Sequence, residues 1–458
     1  MEVLNYLPIV IPSLVLVIPS VIVVFVRSVR TAIYIGLTAL TVSLLGSAWG
    51  FLEGIIGLPL FSSQVYIDIV YYVISIIADL TGILTLVAVS SEIRTWSTGS
   101  SFVSLTLLTV LGIHYLSSSS SVPMVLMGWG IASAAVYTLA MLSKDALSAF
   151  TGVKYLIMGI VSSSFMILGL AYYVAFTGTL SFINVKVSVS TVFAVVLLSI
   201  AAMFKLGVFP FHTWMPDLYS KGDRAGVIAV AGLGKVVGVA LLLRVLTLLD
   251  PSPLLTSMEV LLFSVMGIAT LTFGNIMAFG RRELSELLAY SSVSQAGYFL
   301  LAFAMLEVSK TAALVGLAFQ TLAYSVAQVG LFAGVSYIER VNGSAEYSSL
   351  KGLASGDKAA AFSLTVLLLS LLGLPPILGF WAKLYIFEAT FAFPIVTVLG
   401  LINSAASAGY YIQPMREIFG EGKWGATESS ERSILIASAV ISIILGILAP
   451  LVLVGVSF

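Results

Sequence analysis

The chain has 458 residues, 59% of them hydrophobic and only 9% charged, with a mean hydropathy of +1.11. Soluble domains carry about 25% charged residues, so an ordinary globular protein is excluded and a polytopic membrane protein is indicated. The 21 basic and 21 acidic residues cancel, which argues against nucleic acid as a partner; cysteine is absent, which excludes thiolate-held iron–sulfur clusters, disulfides and Cys zinc sites.

A helix needs about 20 apolar residues to cross the hydrocarbon core, and by that rule about fourteen segments read as spans. In chain order they are 4–26, 32–53, 66–90, 101–117, 122–142, 148–178, 188–219, 224–249, 254–279, 284–306, 311–338, 359–390, 392–415 and 433–456. The first lacks the basic stretch of a cleaved signal peptide and reads as a retained helix. The fourth is ended early by the serine run 117–121. The seventh and twelfth are long and interrupted by prolines, Pro210 in FKLGVFPF and Pro375 and Pro376 in LPPILGFWAKLYIF. Loops after odd-numbered spans hold Arg27, Arg30, Arg94, Lys144, Arg281, Arg282, Arg340, Lys351 and Arg416 among others. Loops after even-numbered spans hold Lys186 and Lys310, with Arg244 near the end of span eight. The positive-inside rule then predicts cytoplasmic odd loops and both termini on the outer side of a cell membrane, with lipid around a multi-pass chain.

Four segments follow: a three-helix segment at 1–100, two five-helix sets at 101–250 and 251–415, and a last helix at 416–458. Each five-helix set has an interrupted fourth member with a lysine beside the proline break. Five is odd, so the second set must be inverted relative to the first. Inverted repeats with broken helices place ion sites near the midplane, where helix ends supply partial charges.

Three lysines stand in these apolar stretches: Lys205, Lys235 and Lys383. A charged side chain at bilayer depth costs at least about 2.5–3.5 kcal/mol and usually marks an ion pathway. Prolines that break a helix there are tolerated only where the freed backbone faces protein or a water-filled cavity. An ammonium stripped of water releases its proton more readily, which suits a carrier that both accepts and gives up protons. Lys235 lies about 18 Å along its helix, too deep for easy snorkelling. Lys154, about 9 Å from the cytoplasmic end of span six, is either a carrier or a snorkelling residue. His212, two residues after Pro210, either relays protons or bonds the carbonyls that the break frees. His114 stands near the outer end of span four. Gln320, Tyr324 and Gln328 recur every four residues on one face of span eleven, and Ser291, Ser292, Ser294 and Gln295 cluster in span ten. Such stripes organise water between carriers or hold helices together. Trp214 and Trp381 beside the breaks read as packing residues. With His114 and His212 as the only histidines, a bis-histidine haem is possible only in principle, no metal site is expected, and any electron transfer is expected in another chain.

FKLGVFPFHTWMPDLY (204–219), GLGKVVGVALLLRVL (232–246), GNIMAFGRRELSELLAYSSVSQAGY (274–298), LLGLPPILGFWAKLYIF and INSAASAGYYIQPMREIF are spread in order over about two thirds of the chain. Together they resemble the antiporter-like subunits of respiratory complex I, a family that also supplies subunits of membrane-bound hydrogenases and multisubunit cation/proton antiporters. KYLIMG (154–159) and the pair Tyr410–Tyr411 are similar to the N-type branch. The resemblance implies a non-catalytic, proton-translocating module coupled to quinone reduction elsewhere, in which Lys205, Lys235 and Lys383 carry protons. It implies no cofactor in this chain, with FMN, iron–sulfur clusters and quinone in partner subunits. The implied partners are other membrane-arm subunits of the L, M, K, J and H types. A subunit of a cation/proton antiporter or of a membrane-bound hydrogenase is the alternative.

One departure from the family stands out. The usual partner of the first lysine is a glutamate in the fifth span, at a position near Gly130, yet no acid occurs between His114 and Asp145. Asp79 lies at a similar depth in span three. It is the expected substitute, supplying a carboxylate within about 10 Å of Lys205, inside water-bridged reach. The alternatives are that Asp79 bonds a neighbouring hydroxyl or helix end, or that this input channel is impaired and the chain mainly transmits or seals.

Overall fold

The computed structural model describes residues 2–143 and 145–455. Lys144, counted above among the cytoplasmic basic residues, lies outside them, as does the final residue of segment 433–456. The helices are α1 (Glu2–Phe25), α2 (Val29–Leu52), α3 (Ile69–Ile93), α4 (Gly99–Ser118), α5 (Val122–Leu139), α6 (Ala146–Thr177), α7 (Val189–Leu206), α8 (Trp214–Lys221), α9 (Arg224–Leu248), α10 (Pro253–Ala278), α11 (Leu284–Phe303), α12 (Lys310–Asn342), α13 (Leu353–Gly356), α14 (Lys358–Leu372), α15 (Leu378–Thr390), α16 (Pro394–Ile418) and α17 (Ser430–Gly455). A short antiparallel hairpin, β1 (Leu58–Leu60) and β2 (Val65–Ile67), precedes α3.

Every expected span corresponds to one helix or to a broken pair. Among the described residues, twelve helices are long and apolar enough to cross a membrane. The expected fourteen exceed that count for two reasons. Serines and glutamine dilute α11, and the twelfth span is cut into α14 and α15, each too short alone. The third span also starts later than expected, because residues 66–68 complete the hairpin and the Asp68 cap.

Local chemistry fixes the helix ends. Asp68, Asp145 and Asp357 cap α3, α6 and α14 by accepting backbone N–H bonds, as carboxylates do at helix starts. The two breaks share one sequence: Leu206-Gly207-Val208-Phe209-Pro210 and Leu372-Gly373-Leu374-Pro375-Pro376. Gly207 (φ 73°) and Gly373 (φ 88°) take the left-handed conformation that ends a helix without a Cβ penalty. The prolines then prevent the helix from resuming. The lysines are placed differently at the two breaks: Lys205 lies in the last turn before the first, and Lys383 lies in the half-helix after the second.

The chain forms two compact units. The first comprises Met1–Leu86, Glu92–Leu206 and Gly232–Met258; the second comprises Val87–Ser91, Gly207–Ala231 and Glu259–Phe458. In the first unit α4 and α5 run with their backbones almost touching. A Cβ on Gly112 would lie 2.5 Å from the Ala132 nitrogen, and one on Gly128 would lie 2.7 Å from the Leu116 nitrogen. Small residues permit this approach, as is usual between membrane helices. In the second unit α12 packs along α15 and α17.

Candidate functional site

Lys205 is 2% exposed, at the end of α7. Its ammonium lies 3.8 Å from the ring centre of Tyr137, 5.4 Å from that of Tyr155 and 5.9 Å from that of Trp129. Trp129 and Tyr137 are eight residues apart, two turns along one face of α5, and Tyr155 comes from α6. Ring faces attract a cation, by about 2 kcal/mol or more when desolvated. Trp129 is held in turn by its Nε1 donating to Ser163 Oγ at 3.0 Å. Gly130, the position expected for an acid, is exposed, and a Cβ there would meet nothing within 4 Å. An acid at that position would point away from this aromatic face.

The pairing of Asp79 with Lys205 is not made. Asp79 Oδ1 lies 3.2 Å from His114 Nε2, and Ser43 Oγ donates to Oδ2 at 3.0 Å. Lys205 Nζ has neither a hydrogen-bond partner nor a carboxylate at ion-pair distance among the described residues. The physical reason is packing: α3 presents Asp79 to α2 and α4, whereas α7 presents Lys205 to the rings of α5 and α6. A buried carboxylate needs partners, and Ser43 and His114 supply them.

The Tyr137 ring rests on Gly159, one turn from Tyr155 along α6. A Cβ there would lie 2.1 Å from Tyr137 Cζ. Gly159→Ala is therefore expected to push Tyr137 off Lys205 and to cost about 1–3 kcal/mol of stability. Thermal unfolding checks this; a midpoint equal to wild type would show that the ring moves aside freely.

Lys235 is 1% exposed, in a helix whose apolar stretch is buried throughout. Its Nζ donates to the carbonyl of Leu206 at 2.6 Å. That carbonyl is one of the last four of α7, which have no partner inside the helix, and the helix dipole makes this end partially negative. Lys205 and Leu206 are consecutive, so both lysines address the same turn.

In the second unit Lys383, 5% exposed, repeats the device. Its Nζ donates to the carbonyl of Leu372, the last residue of α14, at 2.8 Å and to Ser404 Oγ at 3.1 Å, and it lies 4.5 Å from the Tyr298 ring centre. The preceding carbonyl, Leu371, accepts from Gln295 Nε2 at 2.9 Å. Gln320 donates to Gln295 Oε1 at 3.0 Å, Ser291 bonds Tyr411, and Ser292 bonds Tyr324 at 2.5 Å. The polar faces of α11 and α12 therefore meet one another. The Gln328 amide has no partner among the described residues and is fully buried.

The remaining candidates separate. Lys154 is half-buried on α6. His212 packs against Phe209 and Phe273, with ring centres 5.8 and 4.6 Å away, and its Nδ1 bonds no carbonyl among the described residues. Trp214 is buried, and Trp381 ties α15 to α17 through Gly446 O at 2.7 Å. Two groups were not singled out from the sequence. One is the Lys205 aromatic face, whose signal was the spacing of Trp129, Ser133 and Tyr137. The other is Asn275, which bonds Asn403, Ser294 and Tyr410; single buried amides leave no pattern to find.

Residues 119–407 match the family model described as NADH:quinone oxidoreductase/Mrp antiporter, transmembrane. The chain is 28% identical over 373 residues to the NADH-quinone oxidoreductase subunit N of Desulfitobacterium hafniense, covering 76% of this chain and 75% of that one. It is 31% identical over 333 residues to the subunit N of Dehalococcoides mccartyi, covering 69% of each. Its structure resembles a chain of respiratory complex I from Thermus thermophilus with a TM-score of 0.82 and 27% identity, over 96% of this chain and 98% of that one.

Proposed function

We propose, for a chain that belongs to the NADH:quinone oxidoreductase/Mrp antiporter transmembrane family, that protons are carried by Lys205, Lys235 and Lys383. The chain is a multi-pass, proton-translocating membrane-arm subunit of the complex I type. The observation that carries the lysine assignment is that Lys235 and Lys383 each hold the last carbonyl of an interrupted helix. Such a carbonyl end is partially negative and stabilises an ammonium. The carrier then binds its proton firmly enough to take it up.

Lys205 lies on aromatic faces and Lys235 on the adjoining carbonyl, so the first unit holds two proton acceptors around one helix end. In the second unit Lys383 joins the carbonyl end of α14, where Gln295, Gln320, Tyr324, Ser291 and Ser292 position water. We take 101–250 and 251–415 as inverted copies, in line with the shared Leu-Gly-x-x-Pro breaks. Asp79 acts apart from Lys205. FMN, iron–sulfur clusters and quinone belong to partner subunits, the neighbours are membrane-arm subunits of the L, M, K, J and H types, and both termini face the outer side of the cell membrane.

The test is proton translocation by the assembled complex in liposomes with Lys383→Met, which keeps most of the side chain and removes the ammonium. Loss of internal acidification during quinone reduction is expected, with no requirement for sodium. Undiminished acidification with normal assembly overturns the assignment of Lys383, and sodium-dependent transport without electron transfer favours the antiporter reading.

A further inference from the structure

Asp79 and His114 are both completely buried, in helices outside the lysine series. Four features of their surroundings go beyond helix packing. His114 directs Nε2 to Asp79 Oδ1 at 3.2 Å, while its Nδ1 is buried with no partner among the described residues. Ser43 from α2 donates to the other carboxylate oxygen, which leaves Oδ1 as the atom open to a proton. Tyr71 from α3 donates its hydroxyl to Pro8 O of α1 at 2.6 Å, and its ring centre lies 6.0 Å from that of His114. Ser47, on α2 one turn from Ser43, has a buried hydroxyl that bonds nothing among the described residues.

A file of polar groups runs from this pair towards the start of α3. Ser117 Oγ donates to His114 O at 3.0 Å and lies 3.3 Å from Ser75 Oγ. Arg244 bonds the Ser117 carbonyl and grips Asp68 with two bonds of 2.8 and 2.9 Å. The Asp68 side chain is 21% exposed, so the file reaches the surface of the chain. Asp79 stands eleven positions after Asp68, the cap of α3, about 16 Å along the axis. Arg244 and Asp68 pair with one another at the mouth, which leaves Asp79 and His114 as the acid–base pair inside the file.

We infer that Asp79 and His114 form a second proton-holding site of this subunit, opening through Ser117 and Ser75 to the outer side at the Arg244–Asp68 bridge. With the imidazole neutral and its proton on Nε2, the pair carries one negative charge. A proton arriving at Nδ1 makes an imidazolium; the Nε2 proton then crosses to Asp79 Oδ1, leaving a neutral acid and a neutral imidazole protonated on Nδ1. One proton is gained, no other bond changes, and the reverse sequence releases it. The site rests on the reading of the chain as a proton carrier.

The test uses the assembled complex in liposomes, with Asp79→Asn, His114→Gln and, as a separate arm, Lys235→Arg. Protons moved per electron pair and infrared difference spectra between two pH values are recorded for each. The expected result is a lowered proton-to-electron ratio in Asp79→Asn and His114→Gln at preserved electron transfer. A pH-dependent carboxyl band should also vanish in Asp79→Asn and shift in His114→Gln. A wild-type ratio in both variants with an unaltered carboxyl spectrum overturns the site and leaves the pair as helix glue. If Asp79→Asn does not assemble, His114→Gln decides, since its amide still donates to Asp79: an unshifted band and an unchanged ratio overturn the proposal. Failure of the lysine reading shows separately, as full pumping in Lys235→Arg.

Discussion

Lys235→Ala is expected to lower proton translocation by the assembled complex about 100-fold or more, the lower end of what a positioned acid–base group contributes. Lys235 is buried, and its ammonium is held on the Leu206 carbonyl at 2.6 Å. The alanine variant also leaves that carbonyl without its donor, a loss of about 1–3 kcal/mol if no water replaces it. Reduced pumping alone would therefore mix chemistry with stability. Lys235→Arg separates the two. A guanidinium still donates to the carbonyl but does not deprotonate in a protein, so it is expected to restore assembly and not translocation. The measurement is acidification inside liposomes during quinone reduction, normalised to assembled complex. Wild-type pumping in either variant would remove Lys235 from the pathway.

The positions of the spans, the two breaks and the three buried lysines were all legible in the sequence, because each rests on a strong local signal. An apolar run has few alternatives in a membrane, Leu-Gly-x-x-Pro cannot continue a helix, and a lysine in such a run needs a partner. The partners themselves were not legible. Lys235 and Lys383 bond main-chain carbonyls, which every residue possesses, so side-chain identity carries no trace of them. The expected Asp79–Lys205 pair is not formed because α3 turns the carboxylate to α2 and α4, where Ser43 and His114 meet it. Likewise Gly130 and Trp129 are neighbours in sequence yet about 100° apart around α5, one exposed and one buried, and only the inward one bears on Lys205. The contrast between a bonded Gln320 and an unbonded Gln328, two turns apart on one stripe, is equally invisible to periodicity.

Asp68→Asn is expected to destabilise the protein more than Arg244→Met, although both remove the same ion pair. Arg244 has no exposed side-chain surface, whereas the Asp68 side chain is 21% exposed and also accepts the Tyr71 N–H at 3.0 Å as the α3 cap. Breaking a buried pair costs about 3–5 kcal/mol, chiefly by stranding a charge away from water. In Arg244→Met the stranded carboxylate keeps its cap bond and some water, so the lower figure, about 3 kcal/mol, applies. In Asp68→Asn the asparagine preserves the cap, but a fully buried guanidinium is left with the carbonyls of Tyr66 and Ser117 and no counter-charge. The double variant strands neither charge and should recover part of the loss, a coupling that a double-mutant cycle reads directly. Thermal unfolding of the detergent-solubilised complex measures all three. Equal midpoints for the two single variants would mean that water reaches Arg244, and that the mouth of the Asp79–His114 file is wider than its side-chain contacts imply.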